Sequence, residues 1–360
     1  MKKIIVICPF PENEVPGQRL KYEQYFNTWR EAGYEITLKS FVSENFMKII
    51  YSKGNFHLKI YYTLIGYLKR FFLLFSLRKY DVVYSFLWVT PFGPPIFEFF
   101  VAKLSKKLIY DIDDLVFLKH ASKANKIISF LKGKSKPIYL MKKAQHVITC
   151  TPYLDDFVKK YNKQTTDISS TVDTEARYIP VNKYSNDKQL IIGWSGSHST
   201  SKYLYLLKDV LQQLAKEIDF KLLVMGDKSF FIEGVNIEAL DWDEKIEIAT
   251  LQRFDIGLYP LPFEEWVLGK SGLKAIQYMA LGVPTVATEV GTIYRVIDHD
   301  KNGLLVPDNN AEIWMNSLKI LLKNPSLRAQ IGSEARKKIV AEFSIVANTK
   351  LYLSVINNLI

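Results

Sequence analysis

Short apolar runs separated by helix-length segments recur along the chain, and no other feature limits its fold as much. In the first half they are Ile4–Cys8, Ile36–Ser40, Val82–Phe86, Leu108–Tyr110 and His146–Thr149. In the second half they are Leu190–Trp194, Lys221–Met225, Val235–Leu240, Ile256–Tyr259 and Thr285–Thr288. Helical spacing fills several gaps, near residues 20–32, 202–217 and 243–252. Interior strands alternating with helices imply parallel sheets joined by right-handed crossovers. A polar joint near Asn182–Lys188 divides the two sets. The expectation is an α/β protein with two domains, residues 1–184 and 185–342, and a C-terminal helix over 343–360 packing back on the first.

A chain of 360 residues is long enough to give each domain its own core. The two cysteines, Cys8 and Cys150, have no metal-ligand spacing and suit a reducing compartment. The opening apolar run, ending before Pro9, is too short for a signal peptide and reads as a first strand. No run reaches the roughly 18–20 apolar residues that span a bilayer, so a cytoplasmic protein is expected.

Charge is unevenly spread. Residues 1–185 carry 29 Lys+Arg against 16 Asp+Glu, whereas 186–360 carry 19 against 21. Residues 45–80 and 115–154 contain no acid at all. In the first of these, Lys48, Lys53, Lys59, Lys69, Arg70, Arg78 and Lys79 interleave with residues such as Phe71, Phe72 and Leu74. That mixture suits docking on an anionic membrane surface, ahead of an ordinary helical pair with a solvated lysine face, because both acid-free stretches lie in one half. No nucleic-acid motif accompanies the charge, so nucleic acid is not an expected partner.

Residues 269–291 read GKSGLKAIQYMALGVPTVATEVG. Ser271 and Gly272 suit a helix start, Leu273, Ile276, Gln277 and Ala280 recur at helical spacing, and Gly282-Val283-Pro284 ends the helix. A helix start offers unpaired N–H groups and a positive dipole end, which together suit an anion.

With Ile191-Ile-Gly-Trp-Ser-Gly196, Gly226-Asp227, Phe254–Pro260, Asn302–Pro307 and Glu342-Phe343-Ser344 in this order, residues 190–345 resemble the retaining, nucleotide-sugar-dependent glycosyltransferases of family four, or group 1. The first half is more loosely similar, through Gly17-Gln-Arg19 and Tyr110–Asp114. The resemblance implies a GT-B fold, two Rossmann-like domains facing each other across a cleft. It implies transfer of a sugar from a nucleotide-sugar donor to a glycan or lipid-linked acceptor, as in bacterial-type surface polysaccharide synthesis, at the inner face of the membrane. Neither cofactor nor metal is expected.

The same resemblance assigns residues. Gly196, Ser197, Lys202, Ser271, Gly272 and Leu273 would meet the diphosphate, Ser197 standing where the family has an arginine; Lys270, just ahead of the helix and outside the family pattern, would supply the missing charge. Gln277 would hold the ribose in place of the usual glutamate. Gly269 occupies the position of another glutamate, with Glu264 or Glu265 as its nearby substitute. Gly17 and Arg19 would lie over the sugar and phosphate. Asp113, then Asp111, would face the sugar or acceptor hydroxyl; as an alternative, their cluster suits a divalent cation. Lys202 and Lys270 also fit solvent-exposed lysines, Arg19 a first-turn surface residue, and one aspartate a helix cap. Rival readings are a non-catalytic nucleotide-binding partner protein and a sugar-nucleotide epimerase.

Overall fold

The computed structural model describes residues 1–115, 135–181 and 189–360. The polar joint at 182–188 lies outside them, as does part of the second acid-free stretch. The chain forms two compact units, residues 1–170 with 348–360, and residues 171–347.

Each unit holds one six-stranded sheet, and every strand pairing is parallel. The first contains β1 (Lys2–Cys8), β2 (Tyr34–Ser40), β3 (Val82–Phe86), β4 (Leu108–Asp111), β5 (His146–Thr149) and β6 (Thr165–Asp167), in the order β2-β1-β3-β4-β5-β6. The second contains β7 (Leu190–Ser195), β8 (Phe220–Met225), β9 (Ile237–Leu240), β10 (Ile256–Tyr259), β11 (Thr285–Thr288) and β12 (Leu304–Val306), in the order β12-β11-β10-β7-β8-β9. Ile4 to Cys8 and Leu222 to Met225 are fully buried, which explains why these strands read as continuous apolar runs rather than alternating ones.

The α/β class and the two Rossmann-like sheets are as expected. The chain order reverses beside β1 in the first sheet and between β7 and β10 in the second. Crevices at the carboxyl ends of strands beside such reversals are where open α/β sheets take ligands.

Within the first unit, the final residues pack on an aromatic cluster. The Tyr352 ring lies 4.5 Å from Tyr25 and 5.7 Å from Trp29, and its hydroxyl donates to the Lys21 carbonyl at 3.0 Å. The helix Phe56–Leu74 uses two faces differently. Gly66 and Arg70 are buried, while Ile60, Leu64, Leu68 and Phe72 form an exposed stripe. Arg70 is not available to an outside surface. Its guanidinium donates to the carbonyls of Val89, Lys39 and Cys8 at 2.9, 2.9 and 2.7 Å. No helix among the described residues is long and apolar enough to cross a membrane.

Candidate functional site

In the second unit the candidate side chains gather where β7 and β10 end. After β7 the chain turns at Gly196, whose N–H donates to the Met225 carbonyl at 2.9 Å. Gly226, at the end of β8, has φ +114°, and a Cβ there would stand 1.7 Å from the Gly196 carbonyl oxygen. Only glycine allows the two backbones to lie this close. The loop then enters a short helix, His198–Ser201, with the Ser197 N–H donating to Thr200 Oγ1 at 3.2 Å.

Asp227 fastens this loop. It accepts from Ser201 Oγ and Ser229 Oγ, each at 2.6 Å, and from His198 Nδ1 at 3.0 Å. Burial pushes its pKa up, but the donors outweigh it and hold the carboxyl at about 2. His198 is thereby oriented while its ring stays exposed.

The helix predicted to follow Ser271-Gly272 runs from Leu273 to Ala280, with Gly272 at its N-cap in the left-handed region, φ +79°. Its Tyr278 ties the helix to the β7 end, the hydroxyl accepting from the Ser195 N–H at 2.7 Å. The helix start and the Gly196 loop thus belong to one locality.

Three lysines join it. Lys202 Nζ lies 5.1 Å from the Tyr203 ring, Tyr203 and Trp266 are 5.5 Å apart, and Lys270 Nζ lies 5.6 Å from Trp266. The third, Lys274, was not anticipated. Its Nζ stands 4.4 Å from the Trp194 ring and 5.9 Å from Tyr259, with Thr200 Oγ1 at 3.5 Å. Burial, then repulsion from Lys270, lowers its pKa to about 7.

Gln277 is buried, and its amide donates to Tyr178 Oη at 2.7 Å and Glu247 Oε1 at 3.3 Å. The Trp242 indole donates to the same Glu247 oxygen at 3.2 Å. The structure therefore puts a carboxylate, Glu247, beside Gln277, which the sequence did not reveal. Gly269 is buried, whereas Glu265 is exposed at the start of the 3₁₀ turn Glu265–Gly269.

The first unit brings Gly17 and Asp113 together: a Cβ on Gly17 would lie 3.6 Å from Asp113 Oδ2. Asp111 is corrected by its surroundings. It is fully buried, accepts from the Tyr84 hydroxyl and pairs with Lys21 at 3.6 Å. Burial pushes its pKa up to about 6 against the pull of Lys21. It is an internal group of the β4 end. Arg19 is likewise buried rather than a surface residue.

Two parallel sheets with a cationic site at the switch point of the second make this a protein of the GT-B type. Across essentially the whole of both chains it is similar to sucrose-phosphate synthase from Thermosynechococcus elongatus, with TM-score 0.71, 16% identity and coverage of 100% and 99%. It is also similar to Anabaena HepE in complex with UDP-glucose, with TM-score 0.66, 15% identity and coverage of 99% and 100%. In sequence, residues 189–324 match the family model of the glycosyl transferases group 1. The D-inositol 3-phosphate glycosyltransferase of Pseudarthrobacter chlorophenolicus is 29% identical over 140 residues, 35% of this chain and 32% of that protein. The N-acetyl-alpha-D-glucosaminyl L-malate synthase of Bacillus anthracis is 30% identical over 148 residues, 38% of each. These matches span well under half the length of the curated relatives.

Proposed function

We propose that the protein is a glycosyltransferase that takes a sugar from a nucleotide-sugar donor and passes it to a glycan or lipid-linked acceptor, with retention of configuration. The observation that carries this reading is the cationic locality of the second unit: two glycine-built backbone turns and three lysines at the ends of β7, β8 and β10.

In the transfer, the bond from the anomeric carbon to a diphosphate oxygen breaks, a bond to the acceptor hydroxyl oxygen forms, and that hydroxyl's proton passes to the departing diphosphate. The departing diphosphate gains negative charge. In this reading the Gly196 loop, the helix start at Ser271-Gly272-Leu273, Lys202 and Lys270 meet that charge. Donors already in place need no reorganisation as the bond breaks, which lowers the barrier most where water is excluded. Such an arrangement supports metal-independent transfer. Glu247, held by Gln277 and Trp242, is the carboxylate proposed to accept from a ribose hydroxyl, and Asp113 offers a carboxylate beside Gly17 for the sugar or acceptor. A non-catalytic nucleotide-binding reading is favoured by Gly269, where the resemblance implies a glutamate.

The location proposed is the inner face of a membrane, in surface polysaccharide synthesis. It is supported by the exposed stripe on Phe56–Leu74 and by an apolar groove of about 530 Å³ lined by Phe71, Phe75, Ile96, Phe97 and Phe100, with Arg78 among its lining residues. Large exposed apolar patches commonly mark an interaction surface. A thermal-shift screen with UDP, GDP, ADP and their sugars tests the donor reading. A ligand bound by the folded state raises the melting temperature, and no shift with any of them would count against it.

A further inference from the structure

Lys274 has an unusual setting for a lysine. It sits in the second position of a helix whose following residues, Ala275 to Ala280, are all buried. Its side chain crosses to the opposite side of the site, so that a Cβ built on Gly196 would meet Nζ at 2.7 Å. Among the described residues no carboxylate lies within ion-pair distance of it.

The groups facing it come from each surrounding element. Trp194 and Tyr259 present rings from β7 and β10, and Thr200 presents its hydroxyl from the Gly196 loop. From the segment before its own helix, Lys270 adds a like charge. The acid of the β8 loop, Asp227, is engaged by His198, Ser201 and Ser229. Ring faces favour a cation, whereas burial and a neighbouring ammonium oppose it. An anion placed between Lys270 and the Gly196 loop would reverse that balance.

We propose that Lys274 is a diphosphate-binding residue, reaching across the helix start to meet the donor's phosphates above the Gly196 loop, where Ser197 brings no charge. The proposal rests on the nucleotide-sugar reading of the site and adds a contact to it. It has a consequence that an ordinary surface lysine would not produce. In the empty site the ammonium loses its proton near pH 7. A bound diphosphate stabilises the charged form, so binding above that pH takes up a proton. Affinity then weakens as pH rises.

The experiment is isothermal titration calorimetry at pH 8, with UDP, GDP or ADP, whichever binds, in two buffers of different ionisation heat. Wild-type protein should take up a proton on binding. Lys274→Met should bind the diphosphate roughly ten- to a hundredfold more weakly, without that uptake, while the matching nucleoside binds unchanged. Lys274→Arg should remain charged throughout and take up none. If Lys274→Met does not fold, the proton count of Lys274→Arg decides. Wild-type affinity in Lys274→Met, or wild-type proton uptake in Lys274→Arg, would overturn the proposal and leave the nucleotide reading standing. A wild-type protein that binds no nucleoside diphosphate would sink both.

Discussion

Replacing Gly226 by alanine tests whether the backbone packing of Gly196 on Gly226 builds the phosphate site. The new Cβ would begin 1.7 Å from the Gly196 carbonyl oxygen, so one backbone has to retreat by roughly an ångström or more. The φ of +114° is also one that an L side chain rarely adopts. Left-handed backbone costs about 1–2 kcal/mol for a non-glycine residue, and overpacking about 1–3 kcal/mol. Together they predict a loss of about 2–5 kcal/mol in the second unit. Because the retreat displaces the Gly196 loop from Lys274 and the helix start, nucleotide affinity should fall even where the protein remains folded. Urea unfolding gives the first quantity, and titration with a nucleoside diphosphate well below the unfolding midpoint gives the second. Wild-type stability together with wild-type affinity would refute the reasoning.

Four further outcomes are expected. Lys270→Ala should weaken nucleoside-diphosphate binding by about 1.5–3 kcal/mol and lower turnover, as measured by titration and donor consumption; unchanged affinity removes Lys270 from the site. Reversing the exposed Lys69, Arg78 and Lys79 to glutamate should release the protein from anionic vesicles at low salt, with nucleotide binding intact. Arg70→Met should instead destabilise the fold by about 3–5 kcal/mol, since three carbonyls lose their donor; flotation unaffected by the reversals would argue against docking there. Burial pushes Glu23 from its ordinary 4.5 up to about 7. Its contribution to stability is therefore full below about pH 4.5 and is lost as pH rises through 7, by up to about 3 kcal/mol. Urea unfolding of wild type and Glu23→Gln at pH 5 and 7.5 should show the gap between them changing with pH; a constant gap would contradict the assignment.

Ten of the twelve strands were legible, the interior ones because parallel strands buried on both faces leave continuous apolar runs, as in Ile4–Cys8 and Leu222–Met225, whereas the three-residue β6 and β12 were too short to stand out. The helix after Gly272 was legible from its spacing and its glycine. Side-chain destinations were less so. Arg70 and Lys69 are adjacent bases, yet the helix turns one inward onto three carbonyls and leaves the other in solvent. The clue was Gly66, one turn earlier on the same face. Asp111 and Asp113 looked alike at a strand end, but Asp111 closes β4, where Lys21 and Tyr84 hold it inside, whereas Asp113 lies past the strand. Lys274 was missed because its role depends on a reach from one loop to another, which local spacing does not encode. The available signal was a lone lysine at the head of an otherwise buried helix. Glu247 was hidden for the same reason, since 30 residues separate it from Gln277.

The central claim is that the second unit binds a nucleotide sugar and releases its nucleoside diphosphate. It is tested most directly by incubating purified protein with UDP-, GDP- and ADP-sugars in EDTA and separating the products by chromatography. The account predicts protein-dependent release of one nucleoside diphosphate, slowed in Lys270→Ala and in Gly226→Ala. Release that requires added Mg²⁺ or Mn²⁺ would contradict the lysine-based mechanism, and no release or binding with any donor would contradict the function itself.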